Sequence, residues 1–344
     1  MALVLRDLDA VATSLSRFLS QQWGRMVRAE NLIETSVGAR RGNILFQAFD
    51  SERAGGAAVL DLVVTIYPPA GAWIFGVDAE AAALRLAEAS GAPVAHVYEV
   101  CEDPSWFGQP FFISQRIFGE SLPRNVLRLL DHDSELGAAM GVQLGRAFAA
   151  IHSVPATRCP EAIQRPTDVA PSQHSLGLLG EQLDQLLQPA PSFELGRRWL
   201  SRNQPDPPMQ QTMVHGDVRT GNIMVGADGL RAILDWEGCH TGDPHEDLAW
   251  VTVRTWRFGN DHLEVGGFSL REPMVNAYID SGRHFDAHAY HWWKVMGTLR
   301  WGIGLSRQSV QHLDGTYRNI AMAVSGRRSV ELEYDLLRLL DPVL

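Results

Sequence analysis

Asp217, Asn222 five residues later and Asp235 eighteen residues after the first aspartate lie in the stretch 214–250, VHGDVRTGNIMVGADGLRAILDWEGCHTGDPHEDLAW. All three offer oxygen and none offers sulfur, a donor set that suits a hard cation such as magnesium rather than zinc. Asp and Asn in glycine-containing loops serve equally as turn chemistry, so placement decides between the two uses. Residues 222–225 (NIMV) are apolar and β-branched enough for a strand, 226–229 (GADG) have turn chemistry, and 230–234 (LRAIL) read as the return strand. Loop, hairpin and second loop would bring Asp235 back beside Asp217 and Asn222.

The order of these residues carries a family resemblance. His215 to Asn222, HGDVRTGN, resembles the H-G-D-x-x-x-x-N loop of aminoglycoside phosphotransferases and their relatives, itself akin to the H-R-D-x-x-x-x-N catalytic loop of protein kinases. Residues 234–237 (LDWE) stand where kinases have the D-F-G aspartate, and 242–249 (GDPHEDLA) resemble the G-D-P-x-x-D-L-A segment of the same family. The resemblance implies an α+β, protein-kinase-like fold of two lobes: a small antiparallel-sheet lobe over 1–117 and a larger, mostly helical lobe over 118–344. It also implies a magnesium-dependent transfer of the γ-phosphate of ATP to a hydroxyl of a small molecule. Asp217 would orient the acceptor hydroxyl and take its proton, Asn222 and Asp235 would hold Mg²⁺, and His215 would brace the loop. Asp243 and Asp247 would cap or brace neighbouring turns. Arg219, two residues after Asp217, stands where Ser/Thr kinases carry a γ-phosphate lysine. It would stabilise charge on the transferred group, or else be a solvated arginine or a partner for Glu237.

The D-W-E-G signature and the C-terminal pattern are similar to bacterial phosphotransferase-family proteins related to the kinase-like domain fused to some acyl-CoA dehydrogenases. That branch suggests a hydroxyl on an acyl or other small metabolite as acceptor, with an aminoglycoside-like acceptor as the other choice.

The elements that must position these groups change character along the chain. Residues 1–30 read as a helix, with Leu5, Leu8, Val11, Leu15 and Phe18 at helical spacing. Short strands follow from Asn31. Residues 35–42, TSVGARRG, lie between apolar runs, and a glycine-containing tip holding Gly38, Arg40 and Arg41 can drape amides over phosphates. A strong strand, LDLVVTIY at 60–67, stops at Pro68 and Pro69. The resemblance places a phosphate-holding lysine or arginine on this strand, yet Thr65 occupies that place. Lys294 is the only lysine in the chain. Glu80, in the alanine-rich helix 77–89, resembles the acid that pairs with the missing cation, or is a first-turn glutamate favoured by the helix dipole. Either Arg40 or Arg41 reaching inward would replace the lysine; otherwise the chain is a nucleotide-binding pseudokinase, or a scaffold without chemistry.

Two more strands, 93–100 and 111–117, precede Gly119. The intervening residues from Ser114 to Phe118, with Gln115 and Ile117 offering main-chain groups, look like the hinge at which an adenine edge would be met. Beyond it the pattern is helical: 136–152 ends at His152, read as a hydrogen-bonded core histidine, and 155–208 is broken by Pro, Gln and Ser. A polar, glycine-rich loop spans 256–267, and Trp292, Trp293 and Trp301 share one helix, where they read as core.

A length of 344 residues allows a large core in two lobes. The net charge of −10, spread along the chain, argues against nucleic acid as a partner. Cys101, Cys159 and Cys239 are isolated, so neither a disulfide framework nor a CxxC metal site is indicated. Acids at Asp7 and Asp9 replace the apolar run of a signal peptide, and no run approaches a membrane span, so a cytoplasmic protein is expected.

Overall fold

The first helix, α1 (Leu8–Trp23), begins where the Asp7 side chain accepts the Ala10 N–H at 3.1 Å and stops at Gly24, whose φ of 62° no helix continues. This computed structural model describes residues 7–35, 41–50, 58–67, 75–186, 188–316, 318 and 320–341. The helix expected to reach residue 30 is therefore shorter. Its last stretch belongs instead to strand β1 (Val27–Thr35), where Val27 and Ala29 alternate inward. β1 pairs with β2 (Gly42–Asp50), which pairs with β3 (Ala58–Ile66); β4 (Val97–Cys101) and β5 (Phe111–Gln115) complete an antiparallel sheet of order β1-β2-β3-β5-β4. The fourth strand starts at Val97 rather than Pro93, whose carbonyl instead accepts the Ile233 N–H of the second lobe at 2.8 Å.

Period-two burial gives the sheet two faces. Ile44, Phe46 and Ala48 with Leu62, Val64 and Ile66 form one core with Val11, Leu15 and Phe18 of α1. The other face carries Thr65 and Tyr67 and is covered by α2 (Val77–Ala89). Alanines let α2 approach closely, and its Val77, Ala81, Leu84 and Ala87 join a core that continues into the second lobe.

The chain crosses at Gly119, where a Cβ would lie 2.6 Å from the Val225 carbonyl, and Glu120 then exchanges both main-chain hydrogen bonds with Val225, at 2.8 and 2.9 Å. The second lobe runs through α3 (Pro123–Asp131), α4 (Ser134–Ile151), α5 (Pro171–Asp184) and α6 (Pro191–Arg202). Then come the short strands β6 (Thr212–Val214), β7 (Ile223–Gly226), β8 (Gly229–Ile233) and β9 (His240–Gly242), and helix α7 (His245–Trp250). Helices α8 (Arg271–Asp280), α9 (Ala287–Leu313), α10 (Ile320–Ser325) and α11 (Ser329–Leu340) close it. This is the two-lobe α+β arrangement expected. The hairpin expected over 222–234 is β7–β8, and β6 pairs with β9, so the stretches before and after the hairpin are stitched together at their roots. Trp292 and Trp293 are core, their indole N–H groups donating to Leu200 O and Asp243 Oδ2, both at 2.9 Å. Trp301 is not core: half-buried, it packs against Trp250 and Trp256. Among the described residues no helix is long and apolar enough to cross a membrane.

Candidate active site

The loop after β6 is pinned from below by one carboxylate. Asp247, fully buried on α7, accepts the main-chain N–H of His215 and of Gly216, both at 2.8 Å. His152 faces the same carboxylate at 3.1 Å and holds Tyr278 with its other nitrogen, so it is the hydrogen-bonded core histidine expected. Burial pushes the Asp247 carboxyl up, and His152 together with the ring and amide of His215 more than reverse this. Gly216 is required by its backbone: φ is +80°, and a Cβ would stand 2.6 Å from the Gly238 carbonyl. Gly216→Ala is expected to destabilise the protein by about 1–3 kcal/mol, read as a lower denaturation midpoint, with activity lost more steeply than stability. A variant as stable and active as the parent would show that the loop adapts.

His215 ties the two functional loops together. Its Nδ1 lies 3.2 Å from the Asp217 N–H and its Nε2 lies 3.0 Å from the Leu234 carbonyl, one residue before Asp235. The first contact needs a bare Nδ1 and the second a proton on Nε2, so the ring is neutral, and its burial lowers its pKa accordingly. Such a ring braces; it has no proton to spare for transfer.

Asp217 is held on both oxygens. Oδ2 receives the Asn222 amide at 2.8 Å and the Arg219 Nε at 3.3 Å, while Oδ1 receives the Trp250 indole at 2.9 Å. About 30 % of its side chain stays exposed, so the carboxylate keeps an open edge. Asn222 spends its NH₂ on Asp217, which leaves its carbonyl oxygen turned to other use. Arg219 lies over the Trp256 ring at 5.2 Å and does not meet Glu237, the partner that the sequence allowed it.

Asp235 adopts a left-handed backbone, φ 61° and ψ 72°, uncommon for a residue with a side chain and often retained where function requires it. It remains accessible in the cleft, yet its carboxyl is pushed up to about 6, by partial desolvation first and then by Glu237, with Asp217 and Glu80 adding like charge and Arg41 opposing them. A carboxylate crowded by others is relieved by a cation. Asp235 and the side-chain carbonyl oxygen of Asn222, which has no partner among the described residues, fit a hard cation such as magnesium. No cluster of three or more His, Cys, Asp or Glu side chains forms a closed cage among the described residues.

Arg41, at the entrance to β2, meets Glu80, the acid that the resemblance pairs with a cation on the Thr65 strand. Its guanidinium donates to Glu80 Oε1 at 2.7 Å and to Glu237 Oε2 at 3.0 Å, and lies 5.0 Å from the centre of the Tyr67 ring. Tyr67 donates to the other Glu80 oxygen. The Thr65 hydroxyl bonds Asn43, at 2.9 Å, its one side-chain partner among the described residues. Glu80 is therefore an ion-pair partner as well as a first-turn acid. Burial opposes the Arg41 charge, and Glu80, Tyr67 and Glu237 more than compensate for it. Gly38 and Arg40 lie outside the described residues. At the hinge, Gln115 N–H bonds the His96 carbonyl, while the main chain of Ile117 makes no hydrogen bond to another described residue.

Sequence reasoning missed Trp250, Glu237 and Tyr67 as members of the site. Trp250 directly follows the GDPHEDLA segment, and that adjacency was the available signal. Glu237 was named only as an alternative partner of Arg219, and Tyr67 gave no signal.

A model described as the phosphotransferase enzyme family matches residues 41–291. Among curated proteins, acyl-CoA dehydrogenase family member 11 of Mus musculus is 27 % identical over 213 residues, which cover 59 % of this chain and 27 % of that protein. The chain thus spans about a quarter of that relative's length. Among solved structures, a Ralstonia eutropha protein assigned to the aminoglycoside phosphotransferases superposes with a TM-score of 0.71, at 19 % identity, over 95 % of this chain and 97 % of that one. A thermostable mutant of an aminoglycoside phosphotransferase, in a ternary complex with AMP-PNP and hygromycin B, gives a TM-score of 0.61 at 14 % identity, covering 94 % and 99 %. At these identities the two structures speak to the fold.

Proposed function

The chain belongs to the phosphotransferase enzyme family, and from that premise we propose that it is a magnesium-dependent ATP phosphotransferase acting on a hydroxyl of a small molecule. The observation that carries this reading is the Asp217 carboxylate, clamped by Asn222, Arg219 and Trp250 with one edge open beside Asp235. Phosphoryl transfer asks the protein for in-line positioning and charge neutralisation more than for covalent participation. Asp217 accepts the acceptor hydroxyl in a hydrogen bond, orients its oxygen and takes its proton late in the transfer. Arg219, already beside Asp217, offers its remaining N–H groups to the charge that spreads over the transferred group. Arg41 holds the nucleotide phosphates from above, fixed in aim by Glu80 and Glu237. Main-chain groups near Gln115 and Ile117 meet the base. Asn222 and Asp235 hold magnesium, which when bound neutralises charge on the β- and γ-phosphates.

Nucleotide binding without turnover is the rival reading, motivated by Thr65 in the lysine position. Arg41 weighs against it, because a guanidinium paired with the buried Glu80 supplies the missing cation. The acceptor is a hydroxyl on an acyl-type or similar metabolite, or on an amino sugar. ADP release measured over a panel of hydroxyacyl-CoA thioesters and aminoglycosides tests the activity. Nucleotide binding with no ADP release from any acceptor favours the rival.

Asp235→Ala tests the metal. The parent is expected to bind ATP more tightly with Mg²⁺ than with EDTA, by calorimetry, and the variant to lose that difference altogether. A variant that kept the full magnesium dependence would remove Asp235 from the metal site.

A further inference from the structure

Behind Gly216 lies a second charged group that phosphoryl transfer as such does not require. Glu246, buried on α7, receives Arg300 Nη1 at 2.6 Å, faces His240 Nε2 at 3.0 Å and lies 3.5 Å from Arg165 Nη1. Arg300 also donates to the Gly216 carbonyl at 3.1 Å and stacks over Trp250 at 4.3 Å, the same tryptophan that bonds Asp217. His240 packs against Gly216 from the other side. The group therefore stands one residue away from the base.

Its charges do not cancel. Two guanidinium groups oppose one carboxylate, leaving a positive excess before His240 is counted. Both arginines reach solvent, with 21 % and 32 % of their side chains exposed, and each keeps N–H donors beyond those spent on Glu246. Burial pushes the Glu246 carboxyl up, and His240, Arg165 and Arg300 overcome this to hold it well below the usual range. On α5, His174 is lowered by burial first and then by Arg165 and His240, with Glu246 opposing them.

An independent observation points to a ligand. Trp250, Trp256 and Trp301 form an aromatic wall beside Asp217 and Arg219, with ring centres 4.9 to 6.2 Å apart. The indole N–H groups of Trp256 and Trp301 are buried there without a partner among the described residues. Trp256 is only 4 % exposed, and a buried donor left unpaired is costly unless an oxygen arrives to accept from it.

We propose that the acceptor binds against these arginines and tryptophans, and that it carries an anionic group, carboxylate or phosphate, close to its reactive hydroxyl. Arg300 and Arg165 receive the anion, the tryptophan wall takes the body of the molecule, and Asp217 meets the hydroxyl. A polycationic amino sugar would place like charge against both arginines. This inference rests on the phosphotransferase reading and narrows its acceptor.

The test is calorimetry on the full chain saturated with Mg·AMP-PNP, which fills the nucleotide cleft without turnover. Malate, glycerol 3-phosphate, glycerol and kanamycin are titrated separately. At least one of the two anions is expected to bind tenfold or more tightly than glycerol and kanamycin, and which anion wins distinguishes carboxylate from phosphate. Arg300→Gln and Arg165→Gln should each weaken that anion tenfold or more, with Arg300→Lys retaining part of the affinity. Saturable binding of neither anion, equal or tighter binding of glycerol or kanamycin, or full anion affinity in a folded Gln variant would overturn the proposal. The selectivity of the parent decides the matter even if Arg300→Gln fails to fold for want of a partner to Glu246. Failure of the parent to bind Mg·AMP-PNP counts against the phosphotransferase reading alone, because malate can be titrated without nucleotide.

Discussion

Asp217→Asn is expected to reduce kcat by roughly 10²-fold or more while leaving Mg·AMP-PNP affinity nearly unchanged, as loss of a positioned base does. The shape of the side chain survives the change, but its charge and basicity do not. The surroundings add to the loss. Both Asp217 oxygens accept from protein donors, Trp250 on one and Asn222 with Arg219 on the other. An amide must turn its NH₂ toward one of these sides, so the open edge that meets the hydroxyl is also re-aimed. Single-turnover kinetics separate chemistry from binding. Turnover at the parent rate would take the role of base away from Asp217.

Arg41→Gln is expected to act on stability and nucleotide affinity together. The variant strands Glu80, of whose side chain only 2 % is exposed, with Tyr67 as its remaining partner. Removing one member of a buried ion pair typically costs about 3–5 kcal/mol. The loss should appear as a lower denaturation midpoint, with ATP affinity reduced at least tenfold because the phosphates lose their cation. The informative companion is Thr65→Lys in the Arg41→Gln background. Thr65 is two residues before Tyr67 and so faces the same side of the sheet, towards Glu80. A lysine there should restore part of the affinity. Unchanged ATP affinity in Arg41→Gln would show that the arginine is structural only.

What the sequence disclosed and what it hid divide along contact distance. Asp217, Asn222 and Asp235 were legible because one hairpin, β7–β8, returns the chain to its starting point within a contiguous stretch. The pinning of that stretch by Asp247 was half legible, as a brace without a stated partner. The Arg41 ion pairs were harder, since they span 39 residues to Glu80 and 196 to Glu237. An arginine next to a phosphate-loop glycine could be proposed as the clamp, but nothing local assigned Glu237 to it. The Glu246 group was invisible, because Arg165, His240 and Arg300 come from three separated segments and none sits in a motif. The overlong first helix was a local error. Apolar spacing favoured helix up to the sheet, and the left-handed turn at Gly24 outweighed it. Trp301 shares a helix with two core tryptophans, yet lies on the face turned to Trp250, which periodicity alone does not reveal.

An arginine as the phosphate clamp, the role proposed for Arg41, would also set the reactivity of the cleft. An arginine remains protonated at any working pH and is a poor nucleophile, whereas the lysine usual in this position can be acylated. The only lysine of the chain, Lys294, sits on α9 paired with Glu264. An acyl-phosphate derivative of ATP, which marks kinases by transferring its acyl group to an amine beside the phosphates, would therefore find no lysine to label there. The protein would bind such a reagent and release it unreacted, and so would go unseen in any survey that detects kinases by that chemistry.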